Sequence, residues 1–156
     1  MRRLAVFASG SGTNFEAIVS ACEQGVTGGE VVLMVCDKPG ARVVERAAAH
    51  GVETFVFAPK EYASKADYER EIVRLLDAAG VELVCLAGYM RIVGDVLLEA
   101  YGGRIVNIHP SLLPAFRGRL CRRLLPAAHP FKRHRIHDGP VGAFLHERQI
   151  FRRRLH

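Results

Sequence analysis

Five short apolar runs, at residues 4–8, 31–36, 54–57, 83–86 and 105–108, constrain this chain more than any other feature. They are continuous rather than alternating, the pattern of strands covered on both faces. Helical patterns lie between them. "NFEAIVSACEQG" starts at a capping-type Asn14 and stops near Gly25. "GARVVERAAAHG" follows Pro39 and ends at Gly51. "DYEREIVRLLDAAG" sets Ile72, Leu75, Leu76 and Ala79 on one stripe, with Asp67 as the expected cap and Gly80 as the stop. Strand and helix alternating at this spacing predict a mostly parallel sheet with right-handed crossovers. The expected fold is a three-layer α/β/α domain with a Rossmann-like sheet.

The length of 156 residues suits one domain with a substantial core. "LAVFA", after two arginines, is shorter than the ~7–15 residues of a signal-peptide core and reads as a first strand. No apolar run approaches the ~18 residues that span a bilayer. Cys22, Cys36, Cys85 and Cys121 form no C-x-x-C and no metal-ligand spacing, so they read as reduced structural thiols and no metal is expected. These features together predict a cytoplasmic protein. The net charge of +6 is unevenly placed. Residues 1–118 carry 12 Lys and Arg against 14 Asp and Glu, a net of −2, and residues 119–156 carry 10 against 2, a net of +8. The basicity therefore gives no reason to assign a polyanion to the body. The periodic pattern also stops at Gly118. The segment 119–156 is expected to be a separate, atypical, poorly ordered basic tail, in which "VGAFLHERQIF" alone has the pattern of a short helix.

Two places carry chemistry. "ASGSGTNFEAI" reads as a strand end, a small-residue turn and a helix start. Gly10 and Gly12 permit unusual backbone angles, and the amides there, with those of Thr13 and Asn14, suit an anion such as a phosphate. A tight turn with no ligand is the alternative. There is no G-K-[ST], and Phe15 replaces the third glycine of a dinucleotide fingerprint. "IVNIHPS" brings Asn107 and His109 to a strand end, two residues apart and so on one face, with Pro110 stopping the strand. An amide can donate to an oxyanion, and an imidazole can carry a proton at neutral pH. The alternative is an Asn satisfying turn backbone with a His packed under it.

"SGSGTN", "LAGYMRIV" and "NIHPSLLPAF" together resemble the phosphoribosylglycinamide formyltransferases, folate-dependent enzymes of purine synthesis. The likeness runs from Leu4 to about Gly118. It implies that Gly12, Thr13 and Asn14 hold the phosphate of glycinamide ribonucleotide. It implies that Met90, Arg91, Ile92 and Val93 line the folate site through their backbone, with Lys65 and Asn107 nearby. It implies catalysis by Asn107 and His109, with 10-formyltetrahydrofolate as co-substrate, and it leaves a homodimer open. A solvated helix-start charge stands as the alternative for Lys65, and a capping or ion-pair residue as the alternative for Arg91.

"NIHPSLLP" is shared with methionyl-tRNA formyltransferase and formyltetrahydrofolate deformylase, which are the alternative enzyme readings. "GSGTN" favours the purine enzyme. The family continues with a segment like His-x-Val-Asp-x-Gly-x-Asp-Thr-Gly-Pro, whose first Asp completes the catalytic trio. This sequence has only "HRIHDGPVG", in which Asp138 falls early, so the Asp role is not carried onto it. The closing strands of the family are expected to be missing or replaced, by a reading-frame change near Gly118 that the other frames of the coding DNA would reveal. Formyl transfer by the chain is expected to be weak. A non-catalytic protein with a nucleic-acid-binding tail is the remaining alternative. The tail's few aromatics, Phe131, Phe144 and Phe151, make nucleic acid an unfavoured partner.

Overall fold

The computed structural model describes residues 1–108. His109, Pro110, Cys121, Asp138, the seam at Gly118 and the basic tail lie outside the described residues. Five strands form one parallel sheet: β1 (Arg2–Ala8), β2 (Gly29–Cys36), β3 (Glu53–Val56), β4 (Leu83–Ala87) and β5 (Ile105–Ile108), in the order β3-β2-β1-β4-β5. Four helices connect them: α1 (Thr13–Glu23), α2 (Arg42–Ala49), α3 (Lys65–Ala78) and α4 (Asp95–Tyr101). A 3₁₀ turn, Pro59–Glu61, precedes α3.

The sheet has a core on each face. On one, Phe15, Val19, Val43 and Ala47 of α1 and α2 pack on Val6, Ala8, Met34 and Cys36. On the other, Ile72, Leu76, Leu97 and Tyr101 of α3 and α4 pack on Phe7, Leu33, Val35 and Leu86. Successive strand residues point to opposite faces, so runs such as Ala5, Val6 and Phe7, each 0% exposed, serve both cores. The chain builds outward from β1 to β3 with helices on one face, then crosses to β4 and builds the other way with helices on the opposite face. That reversal makes the carboxyl ends of β1 and β4 a topological switch point, where open α/β sheets bind ligands.

The strands and the first three helices lie where the periodicity puts them, within a few residues. Ile72 and Leu76 of the predicted stripe are fully buried, with Leu75 and Ala79 against the same core. Two caps differ from expectation. Helix α1 is preceded by Gly12, and Asn14 lies inside its first turn. Helix α3 starts at Lys65, and its cap is Ser64, whose hydroxyl accepts the Asp67 N–H at 3.3 Å while Asp67 sits at the third helical position. Ser64 also donates to the Asp67 carboxylate at 3.0 Å. Only Ser64 has the extended backbone that a cap requires, with φ −149° and ψ 165°. Helix α4 was not anticipated; its 7 residues, about two turns, are too few to show a helical period. Ser64→Ala is expected to cost about 1 kcal/mol in urea unfolding. Ser64→Asn should restore most of it.

Candidate active site

The first loop is shaped by α2, a helix that lies behind it. The Val43 N–H donates to the Gly10 carbonyl at 3.1 Å, and Arg46 Nε donates to the Ser11 carbonyl at 2.8 Å. In a trans peptide the N–H points opposite to the C=O. With both carbonyls turned toward α2, the Ser11 and Gly12 amides point away from it. They join the first-turn amides of Thr13 and Asn14, which have no intrahelical acceptor. Gly12 has no side chain to cap these donors, so α1 presents a bare positive end.

The glycines play unequal parts. Gly12 has φ +78°, in the left-handed region, and a Cβ there would lie 2.6 Å from Val43 Cγ2 and 2.9 Å from Val43 Cα. Its requirement comes from packing on α2, not from ligand approach alone. Gly10 is not in the left-handed region, and a Cβ there would meet nothing within 4 Å. The expectation that both glycines adopt unusual angles therefore holds for Gly12 only.

A charged cluster fastens α1 to α2 beside this loop. His50 bonds Glu16 through Nε2 and Glu23 through Nδ1, each at 2.8 Å. Arg46 approaches Glu16 at 3.5 Å. The bond to Glu16, then that to Glu23, raises the His50 pKa above its ordinary value. The His50 bond lowers that of Glu16.

The second segment at the switch point is 88–94, after β4. The Met90 N–H donates to Ser9 Oγ at 2.8 Å, and Ser9 Oγ donates to Asp37 Oδ1. Arg91 Nε donates to Asp37 Oδ2 at 3.0 Å. Asp37 and Ser9 are buried at the ends of β2 and β1. Lys65 Nζ donates to the Ile92 carbonyl at 2.9 Å, and the Gly94 N–H donates to buried Glu69 at 2.8 Å. Burial pushes the Glu69 carboxyl up, opposed by the Gly94 and Leu97 N–H groups and the Lys65 charge. Tyr89 packs edge-on to Phe7 with ring centres 5.3 Å apart, and burial raises its phenol pKa.

The expected folate-lining residues thus divide. The Met90 side chain is exposed and the Arg91 side chain half-exposed, whereas Val93 is buried in the core. The Met90 amide and the Ile92 carbonyl are already engaged. The amides of Arg91, Ile92 and Val93 have no protein acceptor among the described residues. Lys65 lies beside the segment as expected, with its ammonium on the Ile92 carbonyl. Asn107 pairs in register with Leu86, near the end of β5. Ile105 packs on the α3–α4 core and Val106 on the α1–α2 core. Alternation therefore puts Asn107 on the α3–α4 face, which also carries Tyr89 and Val93. His109 lies outside the described residues, as does its pairing with Asn107.

Cys22, Cys36 and Cys85 are buried free thiols, and burial pushes Cys85 up to about 11. Among the described residues no cluster of His, Cys, Asp or Glu is spaced to hold a metal, and no helix is long and apolar enough to cross a membrane. Sequence reasoning missed Ser9, Asp37 and Glu69. "SGSG" and "CDK" mark the ends of buried runs, which was the available signal.

The family model for formyl transferase matches residues 2–124. The chain belongs to the formyl transferase family. Within that family it is 55% identical over 118 residues to the phosphoribosylglycinamide formyltransferase of Bacillus subtilis (strain 168), covering 76% of this chain and 60% of that one. The crystal structure of glycinamide ribonucleotide transformylase 1 from Geobacillus kaustophilus superposes with a TM-score of 0.74 at 58% identity, over 79% of this chain and 65% of that one. The trifunctional purine biosynthetic protein adenosine-3 of Gallus gallus is 38% identical over 123 residues, 79% of this chain and 12% of that protein. The chain thus spans under two thirds of the length of these relatives.

Two outcomes follow from the loop and its clasp. Gly12→Val should lower stability by at least about 1–3 kcal/mol from backbone strain before any clash is counted, while Gly10→Ala should be near neutral, by urea unfolding. Gly10→Ala is therefore the cleaner probe of ligand approach. The His50 contribution to stability is complete below its ordinary pKa of 6.5 and fades as pH rises through the raised folded value. The Glu16 contribution is present above 4.5 and fades as pH falls through its lowered folded value. The melting-temperature difference between wild type and His50→Gln should be largest between those limits and shrink above pH 6.5.

Proposed function

We propose that this chain transfers a formyl group from 10-formyltetrahydrofolate to the amine of glycinamide ribonucleotide. The observation that carries the reading is the pair of donor-rich segments at one switch point: the bare end of α1 after β1, and the segment 88–93 after β4. An amide cradle at a helix terminus suits the phosphate of the ribonucleotide. The amides of Arg91, Ile92 and Val93 suit the hydrogen-bonding edge of a pteridine. The likeness to phosphoribosylglycinamide formyltransferases supports both assignments and supports purine synthesis as the setting. Both substrates are small and water-soluble, which agrees with action in the cytoplasm.

In this reading the amine attacks the formyl carbon, forming a C–N bond and placing negative charge on the formyl oxygen. The Asn107 side-chain amide donates to that oxyanion, and His109 supplies the second polar group. The bond from the formyl carbon to the folate nitrogen then breaks. The proton lost by the amine ends on that nitrogen, giving a formylated ribonucleotide and tetrahydrofolate. Binding both substrates beside β1 and β4 makes the encounter effectively unimolecular.

Calorimetry tests the two sites separately. Glycinamide ribonucleotide and a folate analogue should each bind, and inorganic phosphate should compete with the ribonucleotide alone. Asn107→Ala should lower formyl transfer by about 10²–10³ and leave ribonucleotide affinity unchanged. The 156-residue chain lacks the family's Asp-bearing segment, so its turnover should be about 10²–10⁴ below that of a version carrying that segment after Gly118. Equal turnover in that comparison, or unchanged turnover in Asn107→Ala, would reject the corresponding role.

A further inference from the structure

We propose that Asp37 is a positioning residue that holds the two ligand-facing segments, 10–14 and 88–93, in a fixed relation. The sheet itself cannot do so. Strands β1 and β4 pair through Phe7 and Leu86, and a last backbone bond runs from the Ser9 N–H to the Gly88 carbonyl at 3.2 Å. Beyond that row the two chains diverge, one toward α1 on one face and the other toward α4 on the opposite face. Side chains bridge the divergence. Ser9, immediately before the first loop, accepts the Met90 N–H and donates to Asp37. The second oxygen of Asp37 accepts from Arg91. One carboxylate at the end of β2 thereby fixes the last residue before one segment and two residues of the other.

The Asp37 side chain is 1% exposed, whereas that of Arg91 is 44% exposed. Desolvating a carboxylate is costly, and replacing a buried ion pair with apolar groups of equal volume is often neutral or stabilising. Stability alone therefore gives no reason for a carboxylate here. What an apolar residue could not supply is two directed acceptors, one for Ser9 and one for Arg91. The Arg91 guanidinium is held at Nε, which sets the direction of its two terminal nitrogens. The inference rests on the proposed function for the identity of the two ligands, though not for the coupling of the segments.

The test uses the full chain as wild type, Asp37→Ala, Asp37→Asn and Ser9→Ala. Hydrogen exchange of the free protein comes first. In Asp37→Ala the Glu16 and Val43 amides, bonded to the Gly12 and Gly10 carbonyls of the first segment, and the Met90 amide of the second, bonded to Ser9 Oγ, should exchange faster together, by about tenfold, the factor for one lost hydrogen bond. The amides of α3 should be unchanged. Asp37→Asn keeps an acceptor oxygen and should recover part of the protection. Acceleration of only one segment, or an equal rise across the molecule, overturns the proposal. If Asp37→Ala does not fold, Ser9→Ala decides, because it leaves the Asp37–Arg91 pair and cuts the first segment from both Asp37 and Met90; unchanged exchange of the Glu16 and Val43 amides then overturns it. Calorimetry adds the functional arm: Asp37→Ala should weaken both the ribonucleotide and the folate analogue. Failure of wild type to bind either ligand would count against the proposed function, and the exchange result would still decide the coupling.

Discussion

Strand β1 is hydrogen-bonded on both edges and covered on both faces, and the rest of the structure depends on that. Its backbone meets β2 on one side and β4 on the other, and its side chains alternate between two cores. After the exposed Arg2 and Arg3 at its start, a parallel strand so placed has no tolerance for polar groups from Leu4 to Ala8. Polarity is postponed to its end, at Ser9, where the sheet pairing runs out. The reversal of the chain about β1 sends helices to both faces and puts the topological switch point at that same end. The place of the proposed site is thus a consequence of how a central strand must terminate.

The sequence was most informative where burial is continuous. The five runs need no long-range information, because being covered on both faces removes the polar alternation that would blur them. The helix caps were misjudged because residue type was read without backbone conformation. Asn14 and Asp67 are good capping residues, but both already have helical neighbours before them, and the extended or left-handed residues are Ser64 and Gly12. In α3 the expected residue was part of the capping arrangement, two to three positions inside it.

The site was legible in pieces. Gly12, Asn107 and the segment 90–93 stand out by position at strand ends and by family likeness. The groups that organise them do not. Ser9 meets Asp37 across 28 residues and Met90 across 81, and Arg46 reaches back 35 residues to Ser11. No local period encodes such contacts. Val93 is the instructive case: Met90 and Arg91 shortly before it are exposed, but the return of the chain toward α4 turns its side chain into the core.

The two carbonyls held by α2 bear on how portable this loop is. The direction of its amides is set by Val43 N–H and Arg46, more than 30 residues downstream of the loop. A graft of the glycine-rich turn onto another parallel sheet would carry the composition of the proposed anion cradle without its polarity. Freed from α2, the peptide planes could rotate and present carbonyl oxygen where N–H is needed. The transferable unit is the turn together with the second helix and the strand between them, and a sequence match to the turn alone does not identify it.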